Sequence, residues 1–245
     1  LTGNLHFEGV MVFFFVWSLY LLHCGKWLIS AIILACSISI KLIPLMFLPL
    51  FFKWFKKENG KLNLKKLIKF YIVVGGTLIL FFIPFFSMEF ITNYSKTIGL
   101  WFGNFEFNGS IYYLAREIGY AITGYNEIAI ITKIFPLISL SIILYFSFFR
   151  ATHTITELTT SMLLALSCYL FLSTTVHPWY LTTLIILSIF TAYRYALIWS
   201  VAIILSYFAY ANIDYTENLW VLALEYLIVF SAFIWEVVLK KKINI

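Results

Sequence analysis

The chain has 245 residues, of which 62% are hydrophobic, 20% aromatic and only 11% charged, and its mean hydropathy is +0.95. A soluble domain of this length carries far more polar surface, so the composition excludes one. The formal net charge of +6 is concentrated in the lysines of residues 53–66 and 240–242, a pattern of membrane topology and not of nucleic-acid binding.

In chain order, the opening LTGNLHFEGV lacks the basic region and small-residue cleavage site of a signal peptide and reads as the interior of a longer protein. His6 and Glu8 stand just before the apolar run 10–22. In the plainest reading, Asn4 caps a helix whose positive end Glu8 complements. Residues 26–54 then admit two readings. One is a single long helix kinked before Pro44. The other is two short helices broken at Lys41–Pro44 in the outer leaflet, which keeps Lys26 and Lys53 on the inner side and accounts for a lysine ahead of Ile-Pro. Residues 53–66 form a basic cytoplasmic loop, residues 67–86 a span, and residues 87–126 a long extracytoplasmic segment rich in aromatics. Further spans are expected at 127–149, 158–176, 180–193, 196–211 and 219–239, with HPWY (177–180) and the acidic connection NIDYTEN (212–218) outside and Arg150, Arg194 and the terminal lysines inside. The expectation is therefore an all-α, polytopic transmembrane helical bundle of about eight membrane helices forming one integral-membrane domain over residues 1–245. Solid apolar blocks, in place of alternation, argue against a membrane β-barrel.

Polar groups beside or within spans are costly and mark candidates for chemistry. Lys41, inside an apolar run, needs a partner or a water-lined cavity; an ammonium there suits a phosphate, with a structural ion pair as the competing role. In the segment from Tyr94 to Tyr120, Asn104, Asn108 and the aromatics suit a sugar, by hydroxyl hydrogen bonds and ring stacking, while Arg116 adds a cation. Read alone, His177 is a helix cap and Trp179 and Tyr180 are interfacial belt residues. The topology nevertheless brings His6, Glu8, Lys41, Asn104, Asn108, Arg116, His177, Trp179 and Tyr180 to one outer face. Cys24, Cys36 and Cys168 have neither disulfide nor metal spacing, and no nucleotide-binding or hydrolase motif occurs.

Four stretches, GNLHFEGVMVFFFVWSLYLL, SISIKLIPLMFLPLFF, NGSIYYLAREIGY and TVHPWYLTTLIILS, resemble in this order the C-terminal two-thirds of bacterial membrane glycosyltransferases of superfamily C. The nearest likeness is to polyprenyl-phosphate-mannose-dependent mannosyltransferases. The resemblance implies a lipid-phosphate-linked sugar as donor, an active site facing outward from the bacterial cytoplasmic membrane, and inversion at the anomeric carbon. It further implies that the catalytic base is an Asp or Glu of an upstream extracytoplasmic loop. By the same resemblance His6 and Glu8 support catalysis, Lys41 lies near the donor phosphate and His177 at the rim of the donor or acceptor groove; with Arg116 of the outer segment, Lys41 and His177 are the candidates for binding the donor phosphate. Asn104, Asn108, Trp179 and Tyr180 are then candidates for the sugar or a glycan or lipid acceptor. Two departures, Glu8 and the Pro178-Trp179 pair, leave the identity of the sugar open. No metal ligand set is expected, although a divalent ion remains compatible with the chemistry. The competing readings are a transporter or lipid-linked-oligosaccharide flippase, for which matching interrupted halves are lacking in the sequence, and a non-enzymatic membrane assembly subunit.

Overall fold

The computed structural model describes residues 6–56, 61–211, 213–214, 216–241 and 243, with the side chains of all of these except 98–104. Among the described residues every regular element is helical, and extended pairing is confined to two isolated bridges, Lys56 with Leu62 and Phe107 with Thr175. Hydrocarbon offers backbone groups no hydrogen bonds, so solid apolar blocks fold as helices. The chain divides into two compact units, residues 1–100 with 140–165 and residues 101–139 with 166–245.

Four helices are long and apolar enough to cross a membrane: Leu64–Phe85, Ile128–Phe149, Ile155–Leu172 and Leu219–Val238. They coincide, within a few residues, with four of the segments expected as spans. The other apolar blocks form the shorter helices Glu8–His23, Trp27–Ile40, Ile43–Lys53, Pro178–Ile189 and Tyr195–Ala211. Of the about eight membrane helices expected, four are helices of spanning length among the described residues. Within residues 87–126, expected as a long extracytoplasmic segment, the chain is mostly helical, with Met88–Asn104 and Ile111–Thr123 joined through residues 105–110.

In the first unit, α1 (Glu8–His23) and α2 (Trp27–Ile40) form a hairpin. Its tight connection uses Gly25 at φ +75°, a left-handed conformation that a side chain would strain, and closes through Lys26 N–H donating to Leu21 O at 2.9 Å. Against lipid, apolar burial supplies little net drive, so close packing and hydrogen bonds hold the pair together. Ser18 and Ser30, both fully buried, hydrogen-bond reciprocally: each hydroxyl reaches the other's carbonyl, at 2.9 and 2.8 Å, and the two hydroxyls lie 3.0 Å apart. Ser37 adds a bond to Met11 O at 2.7 Å. The run then breaks at Lys41, whose backbone is extended, and resumes as the 3-10 helix Ile43–Lys53. Pro44 sits at its start and Pro49 inside it. Phe47 of this segment packs on Phe15 at 5.4 Å and Phe51 on Phe70 of α3 (Leu64–Phe82) at 5.1 Å.

After α4 (Met88–Asn104) and α5 (Ile111–Thr123) come α6 (Ile128–Phe149) and α7 (Ile155–Leu172), each of which supplies residues to both units. The second unit continues with the 3-10 turn Pro178–Tyr180, α8 (Leu181–Ile189), α9 (Tyr195–Ala202) and α10 (Leu219–Phe233), the last continued by a π-helical turn, Ile234–Val238. Phe171 stacks on Trp199 at 4.7 Å and meets Phe230 at 4.6 Å in its core. Glu225, Val229, Ala232 and Glu236 recur at helical spacing along one stripe and are all buried. Glu236 caps the start of α9, accepting from the backbone N–H groups of Arg194 and Tyr195 at 2.7 Å each, where a carboxylate also meets the positive helix end.

The serine pair gives the first prediction. Ser18→Val or Ser30→Val alone removes one hydroxyl-to-carbonyl bond and the shared contact between the two hydroxyls, at a cost of roughly 1 kcal/mol. The double variant is destabilised by less than the sum of the two, by roughly 1 kcal/mol. Unfolding in detergent micelles, run as a double-mutant cycle, checks this; strict additivity contradicts it.

Candidate functional site

The candidate residues fall in both units: His6, Glu8 and Lys41 in the first, and Asn104, Asn108, Arg116, His177, Trp179 and Tyr180 in the second. In the first, Glu8 opens α1 and Lys41 ends α2, and the hairpin brings the two together as an ion pair. Each charge also complements its own helix end, the carboxylate at an N-terminus and the ammonium at a C-terminus. The Glu8 side chain is 1% exposed and that of Lys41 31% exposed, so the carboxylate is a buried anchor and the ammonium reaches the surface. An ammonium carries three N–H donors, and an anchored one at a helix break is suited to an anionic oxygen. His6 is half-buried just ahead of α1.

In the second unit, residues 105–108 lie alongside 174–177. Phe107 N–H donates to Thr174 O at 3.0 Å, Val176 N–H to Phe107 O at 2.8 Å, and the Thr175 hydroxyl to Phe105 O at 3.0 Å. This pairing sets His177 in an aromatic stack, 4.8 Å from Phe107 and 4.3 Å from Trp179, both nearly parallel, with Tyr180 edge-on at 5.4 Å. The imidazole is 6% exposed. With both faces covered by the rings of Phe107 and Trp179, a polar contact is left only to its edge. One face of Trp179 is taken by the histidine, while Trp179 and Tyr180 remain half-buried. Phe105 is exposed on the rim of the same stack, 6.0 Å from His177.

Asn108, expected as a sugar ligand, is the hub of a buried polar network and is 0% exposed. Its N–H donates to Glu217 Oε1 at 2.7 Å, and its carbonyl accepts from the Tyr226 hydroxyl at 2.6 Å. Its side-chain amide donates to Glu225 Oε1 at 3.0 Å and to Val176 O at 3.4 Å. Its φ of +51° is left-handed, a conformation Asn tolerates better than most residues. The Trp199 indole N–H stands against the Glu225 carboxylate, though outside good hydrogen-bond geometry. Glu217 in turn accepts from the Tyr113 hydroxyl.

Arg116 lies 4.3 Å over the Tyr113 ring, with Nη1 donating to Glu106 Oε2 at 2.8 Å and Nη2 to Glu117 Oε1 at 3.0 Å. Burial works against its charge, but the Glu106 and Glu117 hydrogen bonds prevail and raise its pKa. Glu106 also accepts from Tyr112 at 2.7 Å and Asn126 at 2.5 Å. A phosphate at Arg116 would meet two carboxylates already in place, so this guanidinium is a clamp between α5 and the 105–110 connection. The side chain of Asn104 lies outside the described residues. Among the described residues no group of three or more His, Cys, Asp or Glu could hold a metal ion. A small open hollow borders Thr174 and is lined by Thr132, Pro136, Ser139, Tyr169 and Ser173.

Glu217, Glu225, Glu236 and Trp199 were not anticipated as organising residues. A signal existed for two of them: Glu225 and Glu236 are the acidic residues of the apolar run 219–239, eleven positions apart and so on one helix face. No family model matches the chain, and neither the curated proteins nor the solved structures contain a match to it.

Two predictions follow from the network. Asn108→Ala and Asn108→Gly both lose the amide bonds, but alanine keeps a β-carbon in a left-handed backbone that glycine adopts freely, so Asn108→Ala destabilises more than Asn108→Gly by about 1 kcal/mol; equal unfolding midpoints contradict this. The second concerns the tyrosines of α5. Burial, then the Glu217 carboxylate, raises the Tyr113 phenol above its ordinary 10.0, and burial, then Glu106, raises Tyr112. A raised folded-state pKa means that the stability these groups carry is complete below the unfolded value and is lost as pH rises through the folded one. Tyrosinate absorbance should therefore show these two titrating late, with stability falling above pH 10 and the fall reduced in Tyr113→Phe; titration at the ordinary value contradicts it.

Proposed function

We propose that this chain is part of a membrane glycosyltransferase that takes a hexose from a polyprenyl-phosphate donor and transfers it to a glycan or lipid acceptor on the extracytoplasmic face. The reading rests on the ordered likeness of its polar motifs to superfamily C transferases. The observation that carries it furthest is Lys41, held by buried Glu8 at a break between two helices and still reaching the surface. In the proposed reaction a carboxylate base, which the likeness assigns to an upstream loop, takes the proton of an acceptor hydroxyl. The hydroxyl oxygen bonds to the anomeric carbon as the bond from that carbon to the phosphate oxygen breaks, with inversion, and the lipid phosphate departs with the electron pair. Lys41 offsets the charge gathering on that leaving group, and Glu8 keeps the ammonium in place. In the second unit Trp179 and Tyr180 are assigned to carbohydrate, and His177 to positioning the Trp179 ring.

A transporter or flippase has one observation in its favour: Glu225, a fully buried carboxylate in a helix of spanning length. Full-length protein in liposomes, given polyprenyl-phosphate mannose and acceptor, separates the two, because the enzyme forms a new glycosidic bond and a carrier returns the lipid unchanged. Lys41→Ala should lower turnover by roughly 10²-fold or more, the scale of losing one charge-stabilising donor. Trp179→Ala should act mainly on KM. Unchanged turnover in Lys41→Ala together with unchanged KM in Trp179→Ala would sink the site assignment.

A further inference from the structure

The first unit carries a second concentration of charge, at the end of α2 remote from Lys41, about 20 Å along that 14-residue helix. Contacts gather several chain segments there. Lys66 Nζ sits over the ring of Trp27 at 5.4 Å and that of Phe55 at 5.7 Å, and those two rings meet edge to face at 6.2 Å. Asn63 N–H donates to Phe55 O at 2.9 Å, and Lys56 pairs with Leu62. His153 Nδ1 lies 3.1 Å from Lys53 O, which brings the connection between α6 and α7 to the same end. Lys26, Lys53, Lys56, Lys65, Lys66 and Arg150 therefore share one end of this unit. None of the six is in an ion pair among the described residues, and Arg150 Nε is buried without a hydrogen-bond partner. The one described carboxylate brought to this end, Glu157, is occupied in accepting from the backbone N–H groups of His153 and Thr154 at 2.9 and 3.1 Å.

The placement is electrostatically unfavourable within the protein. Cations stabilise a helix at its C-terminus, yet Lys26 precedes α2 and Lys65 and Lys66 lie in the first turn of α3, with no acidic residue in either first turn. Mutual repulsion and the positive helix ends add up, and an external anion relieves both. The helix beginning at Leu64 is 22 residues long and apolar enough to cross a membrane, so its first turn belongs at headgroup depth, where Trp27 is also at home.

We propose that this basic end is a binding site for the phosphate of an anionic glycerophospholipid, held by Lys26, Lys65, Lys66 and Arg150 with Trp27 beside the glycerol. The site is independent of the glycosyl-transfer reading: it needs no donor, and it lies at the other end of α2 from the Glu8–Lys41 pair.

The test uses the full chain in nanodiscs of phosphatidylcholine alone or with a quarter of the lipid as phosphatidylglycerol, read by thermal unfolding and by native mass spectrometry of retained lipid. The expected result is a higher midpoint and retained phosphatidylglycerol, both abolished by high salt. Lys65→Gln/Lys66→Gln should weaken retention by roughly tenfold or more, whereas Lys240→Gln/Lys241→Gln, at the other basic cluster, should keep the full effect. Because each variant is compared with itself in the two lipid mixtures, a general loss of stability does not imitate the result, and Lys26→Gln provides a second variant if the double one fails to fold. Equal retention in wild type and Lys65→Gln/Lys66→Gln overturns the proposal, as does an equal midpoint shift produced by inorganic phosphate in phosphatidylcholine.

Discussion

A chain this apolar has little water within reach of its polar groups, so those within helices gain most by pairing inside the protein. That constraint accounts for the arrangement of both units. Ser18 and Ser30 close on each other in the middle of the α1–α2 hairpin, Glu8 and Lys41 close its end, and Glu236 closes on the start of α9. Around Asn108, one residue serves Glu217, Glu225, Val176 and Tyr226 at once. Packing between apolar helices is then free to be close but unspecific, because lipid is as apolar as the side chains; the polar pairs set the register.

The pairs differ in what they leave over, and that difference separates structure from chemistry. The serine pair and the Glu236 cap lie within the protein and are self-contained. Asn108, first read as a sugar ligand, belongs with them, since its backbone and side-chain donors all point inward. Arg116 is likewise engaged by Glu106 and Glu117. Lys41 is different: its partner is buried while its own side chain is 31% exposed, so this pair, unlike the others, reaches the surface.

The long helices were legible because length and hydropathy suffice for them. Residues 128–149 and 219–238 need no tertiary information to be read as spans. The shorter helices are less plainly legible as spans, because the breaks at Lys41 and Pro178 set lengths that hydropathy alone does not measure. The meeting of Glu8 and Lys41, 33 positions apart, could be approached from topology, as two polar groups in one hairpin. The Asn108 network could not. Its partners Glu217 and Glu225 lie 109 and 117 positions away, and its left-handed backbone and complete burial leave no trace in the Asn-Gly-Ser triplet. His177 was recognised as unusual, but its sandwich between Phe107 and Trp179 depends on the pairing of 105–108 with 174–177, which is a tertiary fact.

The central claim is that Lys41 serves a phosphate and not merely Glu8. The charge-swapped double variant Glu8→Lys/Lys41→Glu separates the two roles, because it keeps an ion pair at the same place while presenting a carboxylate where the ammonium was. Transfer of sugar from a polyprenyl-phosphate donor by this variant, measured beside its unfolding midpoint, is the most direct test. The account predicts a folded protein, destabilised by about 1–2 kcal/mol from reversed helix-end charges, with transfer lost; a swapped protein that transfers sugar at the wild-type rate would contradict it.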